Sequence, residues 1–140
     1  MSESKTELLK GTLDMLILQT LRRGSFHGYG IARWIEERTN DVLEIEEGSL
    51  YPALYRMERK GWIESEWGIS DNNRRARYYR LTPEGEKQLR EQISGWEKMV
   101  SAVGQVLQLT VATHLTVHAV VIALREQELE DKLVCLHSLV

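Results

Sequence analysis

Residues 47–63 read EGSLYPALYRMERKGWI, a segment in which the start, the buried face and the end of a helix are all marked. Four apolar residues recur there at helical spacing and predict one buried stripe: Leu50, Ala53, Leu54 and Met57. Ser49 is a good N-cap, and Pro52 is tolerated in a first turn, where its missing N–H has no helical partner to lose. Gly61 favours termination. The segment therefore predicts an amphipathic helix that begins at Ser49 and stops at Gly61.

Two shorter helices are predicted upstream of this segment. Ser4 and Glu7 have the spacing of a capping box, so we expect the first helix to begin there and to end near Arg23. Apolar residues at positions 31, 34 and 35 predict a second helix that runs to about Thr39. Between the second and third helices, residues 42–45 are either a short strand or an extended linker.

A β-hairpin is predicted directly after the third helix. Residues 62–69 alternate in hydrophobicity at period two, residues 71–73 supply a turn, and residues 74–81 are rich enough in aromatics to be the return strand. Thr82 and Pro83 then have the order of an N-cap and a first helical residue, which predicts a fourth helix. We expect three tryptophans to lie in or near the core: Trp34, Trp62 and Trp67.

The fourth helix carries a heptad pattern. Its apolar residues alternate between spacings of four and three: Leu89, Ile93, Trp96, Val100, Val103 and Leu107. One helix cannot bury such a seam by itself. We therefore predict that the same helix of a second chain covers it and that the protein is a homodimer. After position 107 the pattern fits a strand or a helix, and it does not decide the structure of residues 108–140.

These elements predict a mainly α fold with a small β-hairpin, in the order of a winged helix-turn-helix. We expect that DNA-binding domain over residues 1–82, a dimerisation helix over 83–107 and a C-terminal extension over 108–140. In such a fold the third helix enters the major groove of double-stranded DNA, and the hairpin tip lies over flanking backbone or minor groove. We predict DNA contacts from the helix by Ser49, Tyr51, Tyr55, Arg56, Arg59 and Lys60. We predict contacts from the hairpin by Asn72, Asn73, Arg74, Arg75 and Arg77.

The distribution of charge favours a local nucleic-acid footprint. The chain has 18 Lys and Arg against 21 Asp and Glu, a formal net charge of −3. Between Asp71 and Arg80, however, there are four arginines and one aspartate. A solvated charged strand is the alternative for these arginines. Arg56 and Arg59 can instead pair with nearby acids, Glu46, Glu47 or Glu58, and the tyrosines of the third helix can instead pack partly against the hairpin.

Several segments resemble the signature of PadR-family transcriptional regulators, in order and spacing over residues 8–107: residues 9–13, 27–31, 47–63 and 77–82, with Gly85. The resemblance implies a homodimeric DNA-binding repressor that responds to small molecules or to stress. It places recognition-helix residues at Ser49, Tyr51 and Pro52, and the basic wing at Arg74, Arg75 and Arg77. A two-fold dimer would bind an inverted repeat with half-sites about 34 Å apart.

The resemblance also bears on a small-molecule effector. In some multidrug-binding members an aromatic residue of the dimer helix lines a ligand cavity between the subunits, and Trp96 falls in the comparable place. Plain interface packing is the alternative for Trp96. Residues 109–140 depart from the family's pattern.

Other classes of function find little support. Cys135 is the single cysteine, and His114 and His118 lack the further ligands of a zinc site, so we expect neither a metal nor a cofactor. No catalytic arrangement is recognisable, which predicts that the chain is not an enzyme. Residues 1–7 are too polar for a secretory signal and no apolar run could span a bilayer, so we expect a cytoplasmic protein without a membrane partner. The rival interpretation is a winged-helix adaptor that binds another protein and no specific DNA.

Overall fold

The computed structural model describes residues 11–108, which form helices and a small antiparallel sheet. In chain order the elements are α1 (Leu13–Leu21), β1 (Phe26–His27), α2 (Gly28–Arg38), α3 (Glu47–Arg59), β2 (Ile63–Ile69), β3 (Arg75–Leu81) and α4 (Pro83–Leu107). This order confirms the predicted mainly α fold with a small β-hairpin. The predicted helix start at Ser4 and residues 109–140 of the predicted extension lie outside the described residues.

The chain divides into two compact units, of which the first ends at Ser94 and the second begins at Gly95. The first unit holds the three short helices, the sheet and the N-terminal part of α4. The first turns of α4 thus belong with the winged-helix body. Within residues 11–108, no helix is both long enough and apolar enough to cross a membrane.

The sheet has the strand order β1, β3, β2, and both strand pairs are antiparallel. β2 and β3 form the predicted hairpin, in register from Ile63 opposite Leu81 to Ile69 opposite Arg75. β1 adds a third strand of two residues, in which Phe26 lies opposite Tyr79. The sequence does not indicate this strand, because two residues are too few to show an alternating pattern.

An apolar cluster between the helices and the sheet forms the core of the first unit. The whole predicted stripe of α3 is buried in it, together with Ile63 of β2 and Leu89 of α4. Because the Leu89 side chain is fully buried within its own chain, the prediction that it lies in a seam between two chains is wrong. Ile93 is partly buried against the same cluster. The apolar seam that α4 leaves exposed is therefore shorter than predicted.

Helix α3 begins earlier than predicted. Glu47 is its first residue and Glu46 its N-cap, because the Glu46 carbonyl already accepts backbone N–H bonds from the first turn. Ser49 consequently lies inside the first turn instead of at the cap, and Pro52 lies inside the helix. Pro52 has no N–H to donate to Gly48 four positions earlier; both residues are exposed, where water can replace that bond.

The N-terminal helix is also shorter than predicted. Gly11 has a φ of +91°, in the left-handed region, so an unbroken helix from Ser4 to Arg23 is wrong. The described helix α1 starts at Leu13. Of the two alternatives for residues 42–45, the structure has the extended linker.

Two of the three tryptophans expected near the core are there. Trp34 and Trp62 are partly buried and pack against the apolar cluster. Trp67 is 58% exposed, so its predicted core position is wrong. Trp67 shares the sheet face of Ile63, but it lies four residues further along β2, where the hairpin extends past the core.

Candidate nucleic-acid interface

An open groove of about 1000 Å³ lies between the start of α2, Tyr51 of α3 and the hairpin. Arginines from two of these elements line it: Arg33, Arg74, Arg75 and Arg77. Asp71 is the one acidic residue among the described residues that line it. The lining of this cationic groove thus carries four arginines and one aspartate, on a chain whose formal net charge is −3. Of the four, Arg33 pairs with Glu37 on its own helix at 3.2 Å.

Part of the predicted DNA-contacting set meets in the cationic groove. Five of the predicted residues line it: Tyr51, Asn72, Arg74, Arg75 and Arg77. Asn73 is exposed at the same turn. The other predicted residues are on α3 and at its C-cap, outside the groove lining: Ser49, Pro52, Tyr55, Arg56, Arg59 and Lys60. Ser49 is partly buried, whereas the other five are exposed.

His27 fixes the start of α2 at the edge of the cationic groove. Its side chain is the N-cap of the helix, because Nδ1 accepts a hydrogen bond from the backbone N–H of Gly30 at 2.9 Å. The imidazole ring also makes an edge contact with Tyr78 of β3, with 5.3 Å between ring centroids. The cap and the ring contact together hold the start of α2 against the sheet, and Arg33 of the same helix also lines the groove. Neither His27 nor Arg33 was among the predicted site residues.

Arg56 is held by an acid that lies far away in the sequence. Its Nη2 atom donates to Oδ1 of Asp14 on α1 at 2.6 Å. The acids predicted as alternative partners, Glu46, Glu47 and Glu58, do not bind it. Since Asp14 precedes Arg56 by 42 positions, no local pattern could have indicated this pair.

Arg59 and Lys60, at the end of α3, lie over aromatic rings. The guanidinium carbon of Arg59 is 5.8 Å from the centroid of the Tyr55 ring, and the Nζ atom of Lys60 is 4.5 Å from the ring of Trp62. Among the described residues, neither cation forms an ion pair with a carboxylate. Both positive charges thus stay available at the surface of this helix end.

The four arginines of the hairpin divide into two pairs, of which one is neutralised. Arg77 donates from Nη2 to Oε1 of Glu58 at 3.2 Å and from Nε to Oγ of Ser65 at 2.6 Å. Arg80 donates from Nε to Oε1 of Glu64 at 2.6 Å. Each of these two positive charges is therefore compensated inside the chain.

Arg74 and Arg75 form the second pair and have no carboxylate partner among residues 11–108. The guanidinium carbon of Arg75 is 4.4 Å from the centroid of the exposed Trp67 ring, a cation–π contact. Arg74 follows the tight turn in which Asn73 has a φ of +56°, a conformation that Asn tolerates. These two arginines therefore supply the uncompensated charge of the hairpin. Trp67, which we had assigned to the core, instead orders one of them.

Tyr79 lies beneath the cationic groove and is buried. Burial raises the pKa of its phenol, with smaller contributions in the same direction from Glu58 and Tyr51, while the Arg77 guanidinium acts in the opposite direction. The neutral phenol is consequently the stable form in the folded protein at physiological pH.

In the second unit, α4 exposes an apolar stripe. Its large exposed residues are Trp96, Met99, Val103, Val106 and Leu107. Three of these belong to the predicted dimer seam, and Val100 of that seam is partly buried. Trp96, the predicted ligand-binding residue, is 46% exposed.

Within the described part of the chain no group of His, Cys, Asp and Glu side chains could hold a metal ion, and His114, His118 and Cys135 lie outside that part.

Comparison with known proteins identifies relatives of the same architecture. The profile of the transcriptional regulator PadR-like family matches residues 17–91. A transcriptional regulator from Mycobacterium tuberculosis is 30% identical over 98 residues, which cover 69% of this chain and 87% of the relative. An uncharacterized protein from Lysinibacillus sphaericus is 34% identical over 96 residues, which cover 68% of this chain and 87% of that protein.

Solved structures agree with these matches. A transcriptional regulator from Clostridium thermocellum has a TM-score of 0.66 and 33% identity, over 71% of this chain and 96% of that one. A PadR family transcriptional regulator from Eggerthella lenta has a TM-score of 0.64 and 34% identity, over 75% and 89% of the two chains. A PadR-like transcriptional regulator from Bacillus cereus has a TM-score of 0.63 and 29% identity, over 74% and 99%.

Proposed function

Since the chain belongs to the transcriptional regulator PadR-like family, we propose that it binds a specific double-stranded DNA site as a homodimer and represses transcription there. Regulation of transcription through a DNA-binding winged helix is the function of the family. The operator, the sign of regulation and the assembly are the proposed part. The proposal assigns base contacts to the exposed face of α3 and backbone contacts to the hairpin.

The uncompensated pair Arg74 and Arg75 is the observation that carries this proposal. Phosphate contacts supply most of the affinity of a protein for DNA, and they need cations that are not already neutralised. These two arginines meet that condition, and they line the same groove as Tyr51 of α3. The N-terminal part of α3, which would contact base edges, thus lies beside free cations that would contact phosphates. Binding to one half-site requires both.

The exposed apolar stripe of α4 supports the homodimer. Stripes of large apolar side chains are uncommon on the surface of a monomer, and a two-fold interface between identical helices would cover this one. Two copies of α3 would then read an inverted repeat with half-sites about 34 Å apart. Binding of an effector beside Trp96 would alter the separation of the two copies of α3 and so release the operator.

The experiment is a salt series on DNA fragments selected from the genome by the purified protein. The logarithm of the binding constant should fall linearly with the logarithm of the salt concentration, with a slope of about −0.9 for each phosphate neutralised. Arg74→Ala and Arg75→Ala should each weaken binding and flatten the slope by about 0.9 for each chain in the complex.

Arg80→Ala is the matched control, because it removes an arginine of the same hairpin whose charge Glu64 already compensates. It should leave the slope unchanged. Absence of DNA binding, or binding that does not depend on Arg74 and Arg75, would favour the alternative function, a winged-helix adaptor that binds another protein.

A further inference from the structure

One carboxylate links the recognition helix to both long strands of the hairpin. Glu58, in the last two turns of α3, accepts hydrogen bonds through Oε1 from the hydroxyl of Ser65 on β2 and from Nη2 of Arg77 on β3. The Ser65 hydroxyl in turn accepts the Nε–H of Arg77 at 2.6 Å. The three side chains form a closed network, in which the arginine donates to both other members.

One member of the network, Arg77, belongs to the cationic groove. Arg77 lines the groove, and its guanidinium carbon is 5.9 Å from the centroid of the Trp67 ring, which also orders Arg75. Arg77 and Glu58 are only partly covered, with side chains 46% and 28% exposed. A DNA phosphate that approaches Arg75 can therefore also approach Arg77, where it would compete with Glu58 for the same guanidinium.

The other neutralised arginine of the hairpin provides a contrast. Arg80 and Glu64 lie opposite one another in the strand register, on the opposite face of the sheet from Ser65 and Arg77. Neither lines the cationic groove. The two ion pairs of the hairpin thus have the same chemistry, but of these two only the Glu58 pair withholds a cation from the groove. Arg33 of α2 also lines the groove, and it pairs with Glu37 on its own helix at 3.2 Å.

We propose that Glu58 is a specificity-determining residue of DNA binding, because its carboxylate occupies Arg77 in the place of a DNA phosphate. This inference rests on the proposed function. A free arginine at this position would bind phosphates of any sequence and would strengthen binding to unrelated DNA. By holding Arg77 inside the chain, Glu58 removes one sequence-independent contact and ties the hairpin to the helix that reads the bases.

The test is a cycle of Glu58→Gln, Arg77→Gln and the double variant, each measured in a salt series on random-sequence DNA and on the selected operator. Glutamine keeps a hydrogen-bonding group for Ser65 but removes the charge. Glu58→Gln should bind random DNA roughly three- to tenfold more tightly near 0.1 M salt, with a slope steeper by about 0.9 for each chain bound. Its ratio of operator to random affinity should fall by a similar factor.

The other variants separate this role from a structural one. Arg77→Gln and the double variant should both keep the wild-type slope, because in neither protein does an additional arginine reach the DNA. Glu64→Gln is the matched control, since it frees Arg80 on the opposite face, and it should also keep the wild-type slope. A purely structural role for Glu58 would weaken binding to both DNAs without steepening the slope.

The possible outcomes test DNA binding and the role of Glu58 separately. If the wild-type protein binds no DNA, the proposed function is wrong and the role of Glu58 falls with it. If the wild type binds DNA but Glu58→Gln leaves the slope on random DNA unchanged, only the role of Glu58 is overturned. If Glu58→Gln does not fold, Arg77→Gln alone decides: a slope flatter than wild type by about 0.9 for each chain would mean that Arg77 already contacts phosphate, against the inference.

Discussion

The ring of Tyr51 packs directly over Gly28, where a β-carbon would lie 2.8 Å from both Cε1 and Oη of the tyrosine. Gly28 is the first residue of α2, and its φ is not in the left-handed region, so the requirement for glycine is one of space and not of conformation. The contact joins α2 to α3, the helix proposed to contact bases. It fixes the position of Tyr51, which lines the cationic groove.

Gly28→Ala should therefore weaken operator binding more than it affects stability. Tyr51 is exposed, so its ring can swing away from the new methyl group at little cost, and the free energy of unfolding should change by less than about 1 kcal/mol. The displaced hydroxyl should cost about tenfold in operator affinity, equivalent to about 1.4 kcal/mol. Denaturant unfolding and equilibrium DNA binding measure the two effects separately.

Tyr51→Ala supplies the control for this contact, because without the ring the methyl group at position 28 has nothing to displace. In that background Gly28→Ala should have no further effect on DNA binding. If Gly28→Ala lowers the DNA affinity equally with and without the Tyr51 ring, its effect does not depend on the contact with the tyrosine.

The features that the sequence predicted correctly depend on local repetition. The stripe of α3 and each hairpin strand lie within one continuous segment, where the periodicity of apolar residues indicates which face is buried. Trp67 shows the limit of this argument. Alternation assigned it to the face of Ile63, but whether that face is covered depends on how far the neighbouring helices extend, which the pattern within β2 does not contain.

The ion pairs of the arginines could not be predicted from local sequence either, because they too depend on the tertiary structure. Asp14 lies 42 positions from its partner Arg56, and Glu58 lies 19 positions from Arg77. The sequence indicated correctly that the hairpin is rich in arginine. Only the tertiary structure separates Arg74 and Arg75, which stay uncompensated, from Arg77 and Arg80, which are neutralised.

The stability of the fold should fall at alkaline pH because of Tyr79. Its folded pKa lies above the unfolded value of 10.0, so above pH 10 the unfolded chain releases this proton more readily than the folded chain. Tyr79 therefore stabilises the fold below pH 10, and this contribution is lost as the pH rises through the folded pKa. Chemical unfolding between pH 8 and about pH 11 should show a steeper fall for the wild type than for Tyr79→Phe. Parallel curves would refute this assignment.

The apolar stripe of α4 predicts that one charged substitution per chain can dissociate the proposed dimer. Val103→Asp would place a carboxylate in the proposed interface twice, once from each chain, and should raise the dimer dissociation constant at least about tenfold. Sedimentation equilibrium measures this change. Ser101→Asp adds the same charge at an exposed polar position of the same helix and should leave the dimer intact. If both variants stay dimeric, another surface holds the two chains together.

Two glycines of α4 should respond to alanine in opposite ways. At Gly85 a β-carbon would lie 1.9 Å from the backbone carbonyl oxygen of Trp62, and that carbonyl cannot move freely because it accepts the backbone N–H of Thr82 at 3.1 Å. Gly85→Ala must therefore separate α4 from the start of the hairpin, and it should cost roughly 3 kcal/mol or more of unfolding free energy.

At Gly95 a β-carbon would meet nothing within 4 Å, so alanine there should stabilise the helix by about 0.5–1 kcal/mol through its higher helix propensity. Both variants make the same chemical change in the same helix. Thermal and denaturant unfolding would therefore separate the steric cost at Gly85 from the gain in helix propensity that alanine brings at either position. Because Gly85→Ala acts at the base of the hairpin, it should also weaken DNA binding, whereas Gly95→Ala should not. Equal stability of the two variants would mean that α4 does not pack against Trp62 as closely as this junction requires.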